Sequence, residues 1–110
     1  MAAKYMHLGI PVLNKKPGMV YNEWGRFWTN EDVNAYDYVI EYLKFEEGTR
    51  FPELLSKYFH VAYCVDDLEK YMDDADQIVF GPEVLSETQR LAFVLKDDAL
   101  IELFEDKEAW

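Results

Sequence analysis

Two segments of this chain, YMHLGIPV at residues 5–12 and FHVAYCV at residues 59–65, alternate with the two-residue period of a β-strand, and each places one histidine at the same phase. Met6, Leu8, Ile10 and Val12 share one side of the first, with His7, Gly9 and Pro11 on the other. Phe59, Val61, Tyr63 and Val65 share one side of the second, with His60, Ala62 and Cys64 opposite. Each histidine therefore sits among small residues and opposite a wholly apolar face, which predicts open space above each imidazole. Two later segments match as well. Aligning Ile40 of YVIEYLKFE with Ile101 of ALIELFEDK sets Glu41 on Glu102. The histidine-to-glutamate interval is 34 residues in the first half (41−7) and 42 in the second (102−60). The pattern is an internal duplication with one histidine and one glutamate per half. With 110 residues the chain suffices for one domain and not for two independent ones, so residues 1–110 are expected to form a single domain of two similar halves.

The second half reads strand, helix, strand, strand, strand. After the histidine strand, DDLEKYMDDADQ offers Asp66 as a helix cap, with Glu69 three residues on as in a capping box. Leu68, Tyr71, Met72 and Ala75 follow the i, i+3, i+4, i+7 spacing of a helix stripe that covers a sheet. QIVF predicts a strand ended by Gly81-Pro82, EVLSET a loop, RLAFVL a strand, KDDA a turn and LIELFE the last strand. The first half is less regular. Residues 14–18 form a polar turn, 19–29 are aromatic and extended, and YDYVIEYLKF predicts a strand rich in tyrosine and β-branched residues. PELLSK suggests a short helical turn between the halves.

Half of the residues are apolar, so a folded core is expected. The formal charge of −11 argues against nucleic acid and anionic membrane surfaces, which demand a basic face. Cys64 is the single cysteine, so no intrachain disulfide forms, and a reducing compartment is implied. No signal peptide precedes AAKYMHLGIPV and no apolar run reaches membrane-spanning length, which makes a cytoplasmic location the expectation.

Glu41 shares its strand face with Val39, Leu43 and Phe45, and Glu102 with Leu100 and Phe104. A carboxylate on an apolar face costs several kcal/mol unless a cation, a proton or water compensates it. If the halves are related by a pseudo-twofold axis, His7, Glu41, His60 and Glu102 converge. Two imidazoles and two carboxylates suit a divalent transition metal with spare positions for water or substrate. Taken singly, each residue has a plainer reading, the histidines as hydrogen-bonded structural groups and the glutamates as solvent-facing edge residues.

HLGIPV, HVAYCVDDLEK and AFVLKDDALIELFE together resemble the vicinal oxygen chelate superfamily, which includes glyoxalase I, over about residues 5–105. The resemblance implies an α+β fold in which paired βαβββ modules, about 4–51 and 57–107, form a cupped mixed sheet around a metal. The helix of the first module is reduced or missing, with Pro17, Gly18 and a string of aromatics in its place. It also implies that His7, Glu41, His60 and Glu102 are the metal ligands of a glyoxalase-type site. KDDA replaces the family's usual Asp-Pro-x-Gly turn, and no residue set for glutathione is evident.

The activity so implied is that of a metal-dependent lyase or isomerase acting on a small substrate with vicinal oxygens through an enediolate-like intermediate. The metal would be Zn, Ni, Co, Mn or Fe, acting as a Lewis acid. Glu41 or Glu102 would be the catalytic proton shuttle. Tyr21, Trp24, Phe27 and Trp28 are expected to wall the pocket or to replace the packing of the lost helix, with Arg26 as one candidate clamp for a substrate anion. The ring-cleaving dioxygenases of this superfamily fit less well, since their iron sites use two histidines and one carboxylate. Two rival readings remain: a metal-free small-molecule binding protein of the bleomycin-resistance type, and a small interaction domain whose acids only solvate its surface. The cup closes within one chain or across a homodimer, and strand edges with aromatic content favour the homodimer.

Overall fold

The computed structural model describes residues 3–110, which form eight strands and two helices, an α+β architecture with a mixed sheet. In chain order these are β1 (Ala3–Pro11), β2 (Met19–Asn22), β3 (Phe27–Asn30), β4 (Ile40–Phe45), α1 (Leu54–Lys57), β5 (His60–Val65), α2 (Leu68–Asp74), β6 (Gln77–Val84), β7 (Gln89–Lys96) and β8 (Ala99–Asp106). The strands hydrogen-bond in the order β2-β3-β4-β1-β5-β8-β7-β6. The chain divides into two compact units, His7–Phe59 and a second made of the residues up to Met6 with His60–Trp110, so that β1 contributes to both. No helix among the described residues is long and apolar enough to cross a membrane.

In the unit that holds His60–Trp110, β5 and β8 run parallel while β7 pairs antiparallel with both β8 and β6. Helix α2 covers one face. Leu68 and the strand residues Val65, Ala92, Val94 and Leu103 form a buried cluster, against which Tyr71, Met72 and Ala75 pack, so the helical stripe read from the sequence is the stripe that is covered. The β7–β8 hairpin turns at Asp97 and Asp98, whose φ values of 51° and 66° are those of a type I′ turn.

Several boundaries differ from the sequence expectations. The helix cap is Asp67, not Asp66: its carboxylate accepts the Lys70 N–H at 3.4 Å, and the Glu105 carboxylate accepts the Leu68 N–H at 2.9 Å. A carboxylate from a distant strand thus satisfies the first helical donor, and Glu69 is freed to pair with Arg90. Strand β6 does not end at Gly81-Pro82. It continues to Val84 because the register shifts between Ile78 and Phe80 and between Phe80 and Glu83 absorb the irregular residues.

In the unit His7–Phe59, β1 and β4 are parallel, and β4-β3-β2 is an antiparallel meander. No helix stands between β1 and β4, as the sequence suggested. The tyrosine-rich strand begins only at Ile40. Tyr36–Val39 instead forms a turn closed by the Val39 N–H donating to the Tyr36 carbonyl at 2.9 Å, with Val39 at φ 53°. The aromatic run 19–29 splits into β2 and β3 around a turn in which the Asn22 side chain accepts the Gly25 N–H at 2.8 Å. Buried Gly25 has a packing reason. A Cβ there would strike the Phe27 ring and lie 2.8 Å from the Phe51 ring. Gly25→Ala is expected to destabilise the protein by about 1–3 kcal/mol through overpacking, measured as a shift of the urea midpoint at unchanged slope.

Candidate functional site

His7 and Glu41 meet within the first unit. Gly9 lies opposite Glu41 in the parallel β1–β4 ladder, and His7, two residues earlier, shares that face. The His7 Nε2 lies 3.2 Å from the Glu41 Oε1. His60 and Glu102 meet in the same way within the other unit. Ala62 lies opposite Glu102 in the parallel β5–β8 ladder, His60 is two residues earlier, and its Nε2 lies 3.2 Å from the Glu102 Oε1. The duplication seen in the sequence is therefore reproduced in strand direction, register and atomic separation, one pair to each unit.

The expected open space above the imidazoles is corrected by the structure. His7 is 8% exposed and His60 2%. Gly9, Ala62 and Cys64 beside them are buried as well, whereas on the opposite phase Leu8, Ile10, Val61 and Tyr63 are partly exposed and Val65 is buried under α2. Small side chains at these positions permit close cover instead of leaving a gap. Glu102 is 9% exposed, and the Phe93 ring stands edge-on to the His60 imidazole at 5.1 Å between centroids.

The donor chemistry fits a metal ion. His7, Glu41, His60 and Glu102 each offer one nitrogen or carboxylate oxygen of the kind that could hold a metal ion. Two such donors bound at roughly 2.0–2.2 Å to one tetrahedral ion would lie about 3.3–3.6 Å apart. The separation within each pair is 3.2 Å, which is also that of an imidazole–carboxylate hydrogen bond. What distinguishes the pairs from an ordinary buried contact is their repetition at one register.

The remaining candidate residues are divided by the meander. Phe27 pairs with Phe45 and Thr29 with Leu43, which puts Phe27 on the phase of Glu41, where it packs with Phe45 and Phe51 at 5.8 Å each. Trp28 lies opposite Lys44, on the other phase, and Tyr21 lies opposite Trp28. These two rings meet at 5.0 Å, under the Lys15 ammonium at 3.7 Å from the Trp28 ring. They line the sheet face away from His7 and Glu41, because adjacent residues of a strand cannot share a face. Trp24 is in the β2–β3 turn, against Phe51 at 5.6 Å and beneath the Arg50 guanidinium at 4.2 Å. Arg26 is exposed in the same turn, with φ 55° and its guanidinium over Gly48.

Sequence reasoning did not single out Glu105. It is 4% exposed, and both its oxygens accept from Arg90, at 2.8 and 3.0 Å, while one also caps α2. Arg90 holds the carboxyls of Glu105 and Glu69 below the usual carboxylate range. Of the acidic group Asp67, Glu69 and Glu105 at this helix start, the two glutamates are thereby tied to a cation of the chain itself, while Asp67 caps the helix. Phe93 and Phe80, 6.3 Å apart and on the His60 side of β7 and β6, were also not anticipated as neighbours of the pair; their place follows only from the β6–β7–β8 register. No family model matches the chain, and no curated protein or solved structure matches it either.

Proposed function

We propose that the protein is a metal-dependent lyase or isomerase of the glyoxalase-like type, built from paired modules of the vicinal oxygen chelate kind, in which His7, Glu41, His60 and Glu102 together take one divalent ion. One observation carries this reading. Two parallel strand pairs each bring a histidine and a glutamate to 3.2 Å, with the glutamate opposite the second residue after the histidine in both. A structural hydrogen bond needs no such duplication.

The ion would supply Lewis acidity toward two neighbouring oxygens of a small substrate. The residues of the chain do the rest. The two imidazoles would donate as neutral ligands. The two carboxylates balance the ion's charge. One of them, Glu41 or Glu102, accepts a proton from one substrate carbon and returns it to the next. Glu41 is the more exposed of the two, its side chain at 20% against 12% for Glu102, which favours it as the mobile base. The rival reading, a metal-free binding protein, draws on the apolar residues beside each pair.

Elemental analysis of protein purified without chelator separates them. One divalent ion per chain, and a melting temperature raised by Zn, Ni, Co, Mn or Fe(II), is the expected result. Two ions per chain would mean that each pair works alone. An absence of bound metal, with a melting temperature that ignores all five ions, would leave the metal-free reading.

A further inference from the structure

We infer that the substrate of this site is uncharged and apolar beyond the oxygens that the metal holds. The inference rests on the function proposed above and extends it to a ligand class. Its basis is the set of side chains that the strand registers place on the same face as each pair.

In the unit of His60 and Glu102, the register from β8 to β7 sets Phe93 opposite Glu102, Leu91 opposite Phe104 and Leu95 opposite Leu100, and β6 adds Phe80 opposite Phe93. The charged residues on this face at the same registers are Glu83, opposite Leu91, and Asp106, opposite Gln89. Both are acidic. In the unit of His7 and Glu41, the face continues through Leu43, Phe45 and Phe27 and carries no charge besides the pair itself.

The cations of these strands, Lys4, Lys44, Arg90 and Lys96, all fall on the opposite phase: Lys44 pairs with Glu46, Arg90 with Glu105 and Glu69, and Lys96 with Asp74, while the Lys4 ammonium donates to the Ala109 carbonyl and lies over the Trp110 ring. Arg26 and Arg50, the other arginines, belong to the exposed turns around Trp24. An anionic group carried by the substrate would therefore meet apolar rings and carboxylates, with no cation among the described strand residues of this face to compensate its desolvation. A phenyl or alkyl group would instead gain contact with the partly exposed ring of Phe80 in the one unit, or with those of Phe27 and Phe45 in the other.

Three hydroxamates with one chelating head test this: benzohydroxamate, 4-carboxybenzohydroxamate and acetohydroxamate, titrated calorimetrically into the Co(II)-loaded protein. Benzohydroxamate is expected to bind at least about tenfold more tightly than either of the others, the carboxylated compound losing by charge burial and the methyl compound by lost apolar contact. Equal or tighter binding of the carboxylated compound, or of acetohydroxamate, overturns the inference. Failure of the metal reading is scored separately, by Co(II) uptake alone. If no Co(II) is bound, the same titrations on metal-free protein still decide: preference for benzohydroxamate upholds the apolar ligand class, and equal affinities or no binding reject it.

Discussion

Glu102→Gln is expected to lower the affinity for the divalent ion at least about a hundredfold and to abolish the rise in melting temperature that the ion gives the wild type. The substitution keeps the shape of a side chain that is 12% exposed and lies 3.2 Å from His60, but replaces an anionic donor by a neutral one. At an ion concentration of about 100 times Kd, binding stabilises the native state by about 2.7 kcal/mol. For a domain of this size that is a rise of roughly 10 °C or more. The metal-free variant should melt at or above the wild type, since burying an amide costs less than burying a carboxylate. Differential scanning calorimetry with and without Zn or Co(II) reads both effects. A variant that keeps the full metal-induced rise would remove Glu102 from the ligand set. Glu41→Gln should behave in the same way if the two pairs act on one ion.

Glu105→Ala, by contrast, is expected to destabilise the fold without touching metal uptake, by about 3–5 kcal/mol. The carboxylate is buried, accepts two hydrogen bonds from Arg90 and caps the first turn of α2. Its removal leaves the Arg90 guanidinium without its main partner and the Leu68 N–H without an acceptor. Against a typical total stability of about 5–15 kcal/mol, this brings the protein close to unfolding, and the urea midpoint should fall accordingly. The double change Glu105→Leu with Arg90→Met should cost less than the single one, because it removes both charges at once. A single variant as stable as the wild type would refute the role of this pair. The acid limb of the stability curve reports the same interaction. The Arg90 guanidinium beside Glu105 holds its carboxyl below the usual carboxylate range in the folded state. Its contribution is therefore complete above the ordinary glutamate pKa of about 4.3 and is lost as the pH falls through the lower folded value. Between those limits the wild type should lose stability with falling pH, and Glu105→Ala should show a flatter curve.

The candidate site was legible because its parts repeat locally. His7 and His60 stand at one phase of two alternating strands, and Glu41 and Glu102 follow matching apolar residues, so the duplication needed no knowledge of three-dimensional contacts. The stripe Leu68, Tyr71, Met72 and Ala75 was equally plain, since helical spacing is set by backbone geometry. The reading of Tyr21, Phe27 and Trp28 together, as a pocket wall or as packing in place of a helix, had no such support. It treated an aromatic run as one surface, whereas β2 and β3 form a hairpin whose alternation sends Phe27 and Trp28 to opposite faces.

By itself the sequence determined which residues share a strand face or a helix stripe, because those periods are properties of the chain over a few residues. Only the tertiary structure decided that the histidines are buried although α2 covers the other face of their sheet, that each glutamate falls opposite the second residue after its histidine, and that Glu105 closes on both Arg90 and the start of α2. Alternation says that two faces differ but not which will be buried, and register is a relation between segments far apart in the chain. Glu105 reaches Arg90 across 15 residues and Leu68 across 37, distances over which no local pattern carries information.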